Sequence, residues 1–526
     1  MIKNFKWLLL VSLTFVACNN DDEETVVEQP VTAGTANFSK YVALGNSLTA
    51  GFSDNALFRK GQEGSYANIM ATQFQLVGGG DFKIPFMNDN VGGLLFGGMA
   101  NPDFGPRLYL KDFSYSTPPS PNIIPVSGTP STEVFNPAVA AAGPYNNTGV
   151  PGAKSFHLLF SGYGSPAGLA TRTANPYYVR FAPNGTTSVL AYAVSQNPTF
   201  FSLWIGNNDV LGYATKGGVP TSQDPINGDD ITPPATFEAV YTTLINTLTA
   251  GTAKGVVANI PYVNTVPFFT TVPYNPVPPL PFAQTAQAAQ LNQIFGAINQ
   301  IAGALSLPAR FDVLTINDND PVTIEKNNAL LIFDETLTNL APQITAQLTP
   351  VLGATTAGFL GNLYGRARHA KGSATEPNKD YILLTTRSVI GTAQSGVPAS
   401  FSTIGVTFPL QDNRVLTASE VAELKTTTDA YNTTIKSLAD AKGLAFVDAN
   451  ALLTQVANGG VRFGNFQITA SFITGGAFSL DGVHPSPRGY ALIANKFLEA
   501  INAKYGSTFK PVDLGAYSIQ YPGTIN

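Results

Sequence analysis

Cysteine occurs once in this chain, at Cys18, and histidine three times, at His157, His369 and His484. A lone thiol excludes an intramolecular disulfide and a cysteine metal cluster, and three scattered histidines make a poor zinc site. Charge is sparse too: 12% of the 526 residues are charged, with 29 Lys and Arg against 34 Asp and Glu, a net −5. Lacking a basic surplus, the chain has no footprint for gripping phosphates, so nucleic acid is not an expected partner. No phosphate-cradling glycine loop and no internal repeat is evident, and no cofactor is expected. What the chain does have is apolar material, 44% of its residues, enough for a large core and too much for a disordered, solvating polymer. Its 49 Gly and 38 Pro follow no strict period, which means many loops rather than a fibrous repeat.

The cysteine's position explains it. Lys3 and Lys6 precede an apolar run from Trp7 to Val16, and Ala17-Cys18 follows. The run is too short to span a bilayer and reads as a secretory signal peptide over residues 1–17. Phe15-Val16-Ala17-Cys18 resembles the lipobox of bacterial lipoproteins, with Phe15 where an aliphatic residue is usual. The resemblance implies cleavage before Cys18, acylation of that residue and a place in the outer membrane, facing the periplasm or the cell surface. Asn19 to Glu24, with four consecutive acids, resembles the acidic export tags of surface lipoproteins in Bacteroidota-type bacteria; it also reads as a solvated linker. Residues 18–37 form the expected tether.

Three later stretches carry chemistry. Tyr41-Val42-Ala43-Leu44 is a buried-strand pattern running into Gly45-Asn46-Ser47-Leu48, which puts Ser47 at the carboxyl edge of a sheet, where open α/β folds bind ligands. Ser47 is there a nucleophile candidate or an ordinary turn residue. Phe200 to Ile205 is a second such strand and ends in Gly206-Asn207-Asn208-Asp209, whose asparagines either close an Asx turn or offer amide N–H groups to an oxyanion. Near the other end stands Asp481-Gly482-Val483-His484. Alone among the three histidines, His484 has an aspartate at i−3, close enough to fix its tautomer and leave the other ring nitrogen free to take a serine proton.

In this order the pieces resemble the SGNH, or GDSL, family of serine hydrolases. The family's first block is Gly-Asp-Ser-Leu, and Asn46 replaces its aspartate here; the third, Gly-x-Asn-Asp, is met by residues 206–209, and the last, Asp-x-x-His, by residues 481–484. For the second block the best local fit is Asn147 to Lys154, with Gly152 the oxyanion glycine and Gly149 the competing register. The resemblance implies Ser47 as nucleophile, His484 as general base, Asp481 as its orienting carboxylate, and the Ser47 N–H, Gly152 N–H and Asn208 side chain as the oxyanion hole. It implies a flavodoxin-like three-layer α/β/α fold with a mainly parallel sheet, and a serine esterase or lipase acting on an ester of lipid or acylated carbohydrate. Asparagine keeps the size and acceptor oxygen of aspartate without its charge, so activity is expected to survive Asn46. A non-catalytic glycan- or lipid-binding lipoprotein and an acyltransferase are the alternatives. The protein is expected to be monomeric.

Elsewhere the pattern reads as scaffold. Phe237, Val240, Tyr241, Leu244, Ile245 and Leu248 make a helical stripe followed by a strand at Val256 to Ile260. Thr417 and Glu420 form a capping box for a helix that Gly443 stops, before a strand from Leu444 to Val447; Tyr490, Ile493, Ala494, Phe497 and Ile501 form the last stripe. Leu291, Ile294, Phe295, Ile298 and Ile301 read as core rather than a membrane or partner surface. The family core needs only about half this length, so the single domain from residue 38 to 526 is expected to carry insertions at about 80–145 and 318–410, the latter with a helix around Leu337 to Leu352 and a strand at Tyr381 to Leu384. These insertions are expected to form a lid over Ser47. The proline-rich Pro273 to Pro281, with Tyr274 and Phe282, reads as rigid lining or as a linker.

Overall fold

Tyr41–Gly45 (β1), Asn147–Gly149 (β2), Phe200–Trp204 (β3), Lys254–Ala258 (β4) and Ala445–Val447 (β5) line up side by side in a computed structural model that describes residues 30–114, 120–220, 228–280, 284–317, 326–373 and 378–525. Cys18, the signal segment, the acidic run, and Pro281 and Phe282 of the proline-rich stretch lie outside the described residues. All neighbouring strands of the sheet are parallel, in the order β5-β4-β3-β1-β2. This is the doubly wound order 2-1-3-4-5, whose direction of winding reverses between β1 and β3 and opens a crevice beyond their carboxyl ends. The mainly apolar runs of β1 and β3 are buried along their length, as suits a sheet covered on both faces, and the one hydroxyl in β3, Ser202 Oγ, pairs with Tyr41 Oη at 2.7 Å.

The helices that build the site and its supports are α1 (Ser47–Ala50), α2 (Tyr66–Gln75), α3 (Asn208–Thr215), α4 (Pro234–Leu248), α5 (Ala418–Ala441), α6 (Ala449–Ala457) and α7 (Pro487–Tyr505). On one face, α2 and α7 pack together and Trp204 of β3 meets Tyr66 and Phe497 edge-on or tilted, at 5.6 and 5.8 Å between centroids. On the other, Phe237 of α4 stacks on Tyr431 of α5 at 4.1 Å. The capping box forms: the Glu420 side chain accepts from Thr417 N–H at the start of α5. The class expected from the sequence, an α/β fold with a mainly parallel central sheet, is found, with the sheet wholly parallel and helices on both sides.

Two excursions leave this body. Between β1 and β2, residues 80–145 make short antiparallel hairpins, and buried Arg107 donates to the carbonyls of Pro522 and Gly523, pinning the excursion to the chain's end. Between β4 and β5 lies a lobe with its own apolar core, running from Leu280 to Ala367 and built on helices Thr285–Ala304, Ala341–Leu352 and Ala354–Tyr364. Leu291, Ile294, Phe295 and Ile298 are buried in that core, with Ile301 half-buried at its rim. The lobe thus starts upstream of residue 318, because the helix at 285–304 joins it rather than the central sheet. Tyr381–Ile382 pairs antiparallel with Val415–Leu416. Among the described residues, no helix is long and apolar enough to cross a membrane.

Candidate active site

β1 delivers its last residue to a turn in which Asn46 caps α1: its Oδ1 accepts from Leu48 N–H at 3.0 Å. Its Nδ2 donates to Asn207 Oδ1 at 3.2 Å, tying the turn after β1 to the turn after β3. Ser47 follows as the first residue of α1, where its N–H is among the amides that a helix start leaves without an intrahelical acceptor. It is 7% exposed, covered yet reachable.

His484 reaches the same point from the loop that precedes α7. Its Nε2 lies 2.9 Å from Ser47 Oγ, and its Nδ1 lies 2.8 Å from Asp481 Oδ2. Asp481 is the hub of that loop. Its Oδ1 accepts from Val483 N–H, His484 N–H and Ser479 Oγ, and its Oδ2 also accepts from Asn55 N–H at 3.0 Å. Burial pushes this carboxyl up, but the His484 charge and the converging hydrogen bonds outweigh it and hold Asp481 at about 2, ionised throughout the neutral range. The loop is clamped to the nucleophile turn from outside as well, since Ser53 Oγ donates to Pro485 O and Tyr490 Oη to Phe52 O. The Phe52 ring rests on the His484 imidazole, 4.6 Å between centroids.

Donors for an oxyanion gather at the crevice. Asn208, the first residue of α3, donates one Nδ2 hydrogen to Ala153 O at 2.9 Å, which fixes the amide and leaves its second hydrogen free. Gly152 has a φ of +82°, a left-handed conformation suited to glycine, and among the described residues its N–H donates to no backbone carbonyl. Gly149 lies within β2, opposite Gly45, and its N–H is taken by Asn147 Oδ1. Of the two registers, the structure brings Gly152 to the site. Asp209 secures this side: its buried carboxylate accepts from the N–H and Oγ of Ser155, holding the Gly152 loop against α3. Burial raises Asp209 to about 6 against those hydrogen bonds.

Ser47, Asp481, His484, Asn208 and Gly152 therefore converge. Of the other histidines, His157 borders the same open cavity, where it accepts from Lys154 N–H and stacks on Tyr163, and His369 is buried in the lobe. Sequence reasoning missed Asn55, Ser479 and Asn207, which act through a backbone amide, a hydroxyl and an amide in turns whose neighbours are distant in the chain. The Ser53-Asp54-Asn55 stretch, with positive φ at the last two, carried no signal beyond its proximity to Ser47.

Two cavities meet at these residues. One, of about 120 Å³, is apolar and extends from Ser47 between α6 and α7. The other, about 510 Å³ and open, is bordered by polar groups including Lys154, Arg172, Asn175 and Asp229. Neither stretch 80–145 nor 318–410 supplies a wall of either cavity, which corrects the expected lid over Ser47. The lobe has a core of its own, and the contacts on Gly482 come from the segments that flank it: the Gly482 carbonyl accepts from Phe268 N–H, and Leu384 lies close to the glycine. Among the described residues one group of carboxylates, Glu335, Asp412 and Glu420, is close enough together to hold a metal ion, and it lines neither cavity. Comparison with family models, with curated proteins and with solved structures returned no match.

Proposed function

We propose that the protein is a serine hydrolase of SGNH type that cleaves carboxylic esters through an acyl-serine intermediate, held at the outer membrane by lipid on Cys18. The observation that carries the enzymatic reading is the unbroken line from Asp481 through His484 to Ser47 Oγ, with Asn208 and Gly152 beside it. The strand order and the position of Ser47 and Asn208 at the β1/β3 switch point support the same reading.

In this mechanism Ser47 Oγ attacks the ester carbonyl carbon as its proton passes to His484 Nε2. The carbonyl π electrons move to oxygen, which the Ser47 and Gly152 N–H groups and the Asn208 amide stabilise. Collapse expels the alcohol, which leaves with the proton from His484. Water then repeats the sequence on the acyl-serine, giving the carboxylic acid and free Ser47. Asp481 keeps the proton on Nδ1 and stabilises the imidazolium without itself being protonated.

A serine-reactive fluorophosphonate tests the reading. It is expected to label the wild type at Ser47, and Ser47→Ala and His484→Ala proteins that remain folded are expected to lose ester hydrolysis by about 10⁴-fold or more. A protein that binds glycan or lipid without turnover leaves the probe unreacted, and that result overturns the proposal.

A further inference from the structure

The apolar cavity is built as a slot rather than a surface dimple. It opens at Asn46, Ser47 and Leu48, has Trp204 in its wall, and runs between Leu452, Leu453 and Val456 of α6 and Leu492 and Ile493 of α7. Ile493 belongs to the apolar stripe of α7, packs on the main core and is only half-buried, and it also lines this space. Along α7 the lining extends from Gly489 to Phe497, a rise of about 12 Å at 1.5 Å per residue. Near that end Lys496 pairs with Glu499 at 2.7 Å and is partly exposed, which gives the slot a charged rim. An alcohol or sugar gains nothing from such walls, whereas each methylene placed against them leaves water. The polar cleft on the other side of His484 is left for the alcohol half of an ester.

We propose that this slot is an acyl-chain pocket that selects esters of medium-chain fatty acids, roughly eight to twelve carbons by the ~10–15 Å³ that one water-sized unit occupies in such a cavity. The proposal rests on the serine-hydrolase reading and adds to it the substrate class. The test is kcat/KM for p-nitrophenyl esters from acetate to palmitate, run beside labelling with ethyl fluorophosphonate, a probe too small to need the pocket. The expected profile rises about fourfold per methylene, peaks near octanoate to dodecanoate and falls for palmitate, whose tail must pass the charged rim. Leu453→Trp and Ile493→Trp, both at half-buried positions, are expected to lower the decanoate-to-butyrate ratio at least tenfold. A flat or acetate-peaked profile in protein whose Ser47 is labelled overturns the pocket and leaves the hydrolase standing, as does an unchanged ratio in both tryptophan variants. Failure of both labelling and hydrolysis overturns the hydrolase reading and the pocket with it.

A second inference rests on different residues and on no assumption about the reaction. Glu335 follows the strand Leu331–Phe333, Asp412 precedes Val415–Leu416, and Glu420 lies in the first turn of α5; one carboxylate oxygen from each falls within 4.8 Å of the others. Glu335 Oε2, Asp412 Oδ1 and Glu420 Oε1 are all buried with no hydrogen-bond donor. Glu420 is 4% exposed, and its other oxygen accepts from Thr417 N–H and Oγ1, which locks the side chain and leaves Oε1 buried without a donor. Arg368 is spent on Asp334 and Asp380 at 2.7 and 2.6 Å, Arg366 donates to the Glu335 carbonyl, and among the described residues none of the three carboxylates has an ion pair. Buried carboxylates gathered without a counter-charge are strongly disfavoured.

We infer that Glu335, Asp412 and Glu420 bind a hard divalent cation, calcium or magnesium, that fastens the lobe to α5; an all-oxygen donor set suits these ions rather than zinc or copper. Full-length protein stripped with EDTA and titrated calorimetrically with calcium and with magnesium is expected to take up one ion per chain and to gain thermal stability. Asp412→Asn and Glu420→Gln are expected to weaken binding at least tenfold. Asp412→Asn is also expected to raise the melting temperature of the stripped protein by relieving repulsion, the opposite of a merely damaged fold. No saturable uptake of either ion at about 1 mM, the weak end of extracellular calcium sites, overturns the inference.

Discussion

Asn46 Nδ2 and Asn207 Oδ1 stand 3.2 Å apart, so the residue before Ser47 is bound to the residue before Asn208. The uncharged asparagine thus does structural work that a carboxylate shares only in part. Asn46→Asp keeps the acceptor for Leu48 N–H and loses the donor to Asn207, and ester hydrolysis is expected to stay within about tenfold of wild type. Asn46→Ala loses the cap as well and is expected to cost about 1 kcal/mol of stability, read by denaturant titration.

Asn208→Ala removes an amide already oriented by Ala153 O. A fall in kcat of about 100- to 1,000-fold with little change in KM is expected, since the lost hydrogen bond is made chiefly in the transition state. A comparable rise in KM instead would assign Asn208 to ground-state binding.

Asp481→Asn replaces a carboxylate on which five donors converge. The expected loss in kcat is about 10⁴-fold, because the amide favours the wrong imidazole tautomer. Its folded pKa of about 2 lies below the usual carboxylate value, so its stabilising contribution is present above about pH 4 and is lost as pH falls through 2. The pH-dependent part of the gap in unfolding free energy between wild type and variant is expected to reach about 2 kcal/mol near pH 5 and to narrow toward pH 2.

His369 sets a second pH dependence, in the lobe. Burial lowers it to about 4 despite Asp312 nearby, and its Nδ1 accepts from Asp312 N–H. The unfolded chain protonates this imidazole near pH 6.5 and the folded chain only near 4, so stability is full above about 6.5 and declines as pH falls toward 4. His369→Phe, whose ring fits against Phe295 and Phe311, is expected to gain about 3 kcal/mol relative to wild type between about pH 7 and pH 4. Parallel curves for the two proteins would remove His369 as the cause.

Cys18→Ala is expected to abolish incorporation of a palmitate analogue and to release the protein from the membrane fraction. Incorporation that persists in the variant would remove the lipoprotein proposal and leave the chemistry at Ser47 untouched.

Much of the central sheet was legible because a parallel strand buried on both faces is rich in apolar residues, as Tyr41 to Leu44 and, Ser202 apart, Phe200 to Ile205 are; buried β2, with Asn147 and Thr148, carries no such run. The reactive groups were legible because each follows a strand or precedes a helix within a few residues. Asn55 was not, since it acts on Asp481 through its backbone amide, which every residue but proline possesses. The stripe from Leu291 to Ile301 announced burial without saying in which core, and so the onset of the lobe was placed too late. Glu335, Asp412 and Glu420 were invisible as a group because only tertiary folding brings them together.

Helix α7 begins beside His484 and runs back along the sheet for 19 residues, about 28 Å, to Tyr505, whose carbonyl takes the N–H of Thr35 and whose hydroxyl bonds to Gly255 at the start of β4. The first described residues therefore join the molecule at the end of α7, a helix-length from His484. A bulky group fixed near Thr35 would therefore stand clear of both cavities, which border the first half of this helix and the loop before it.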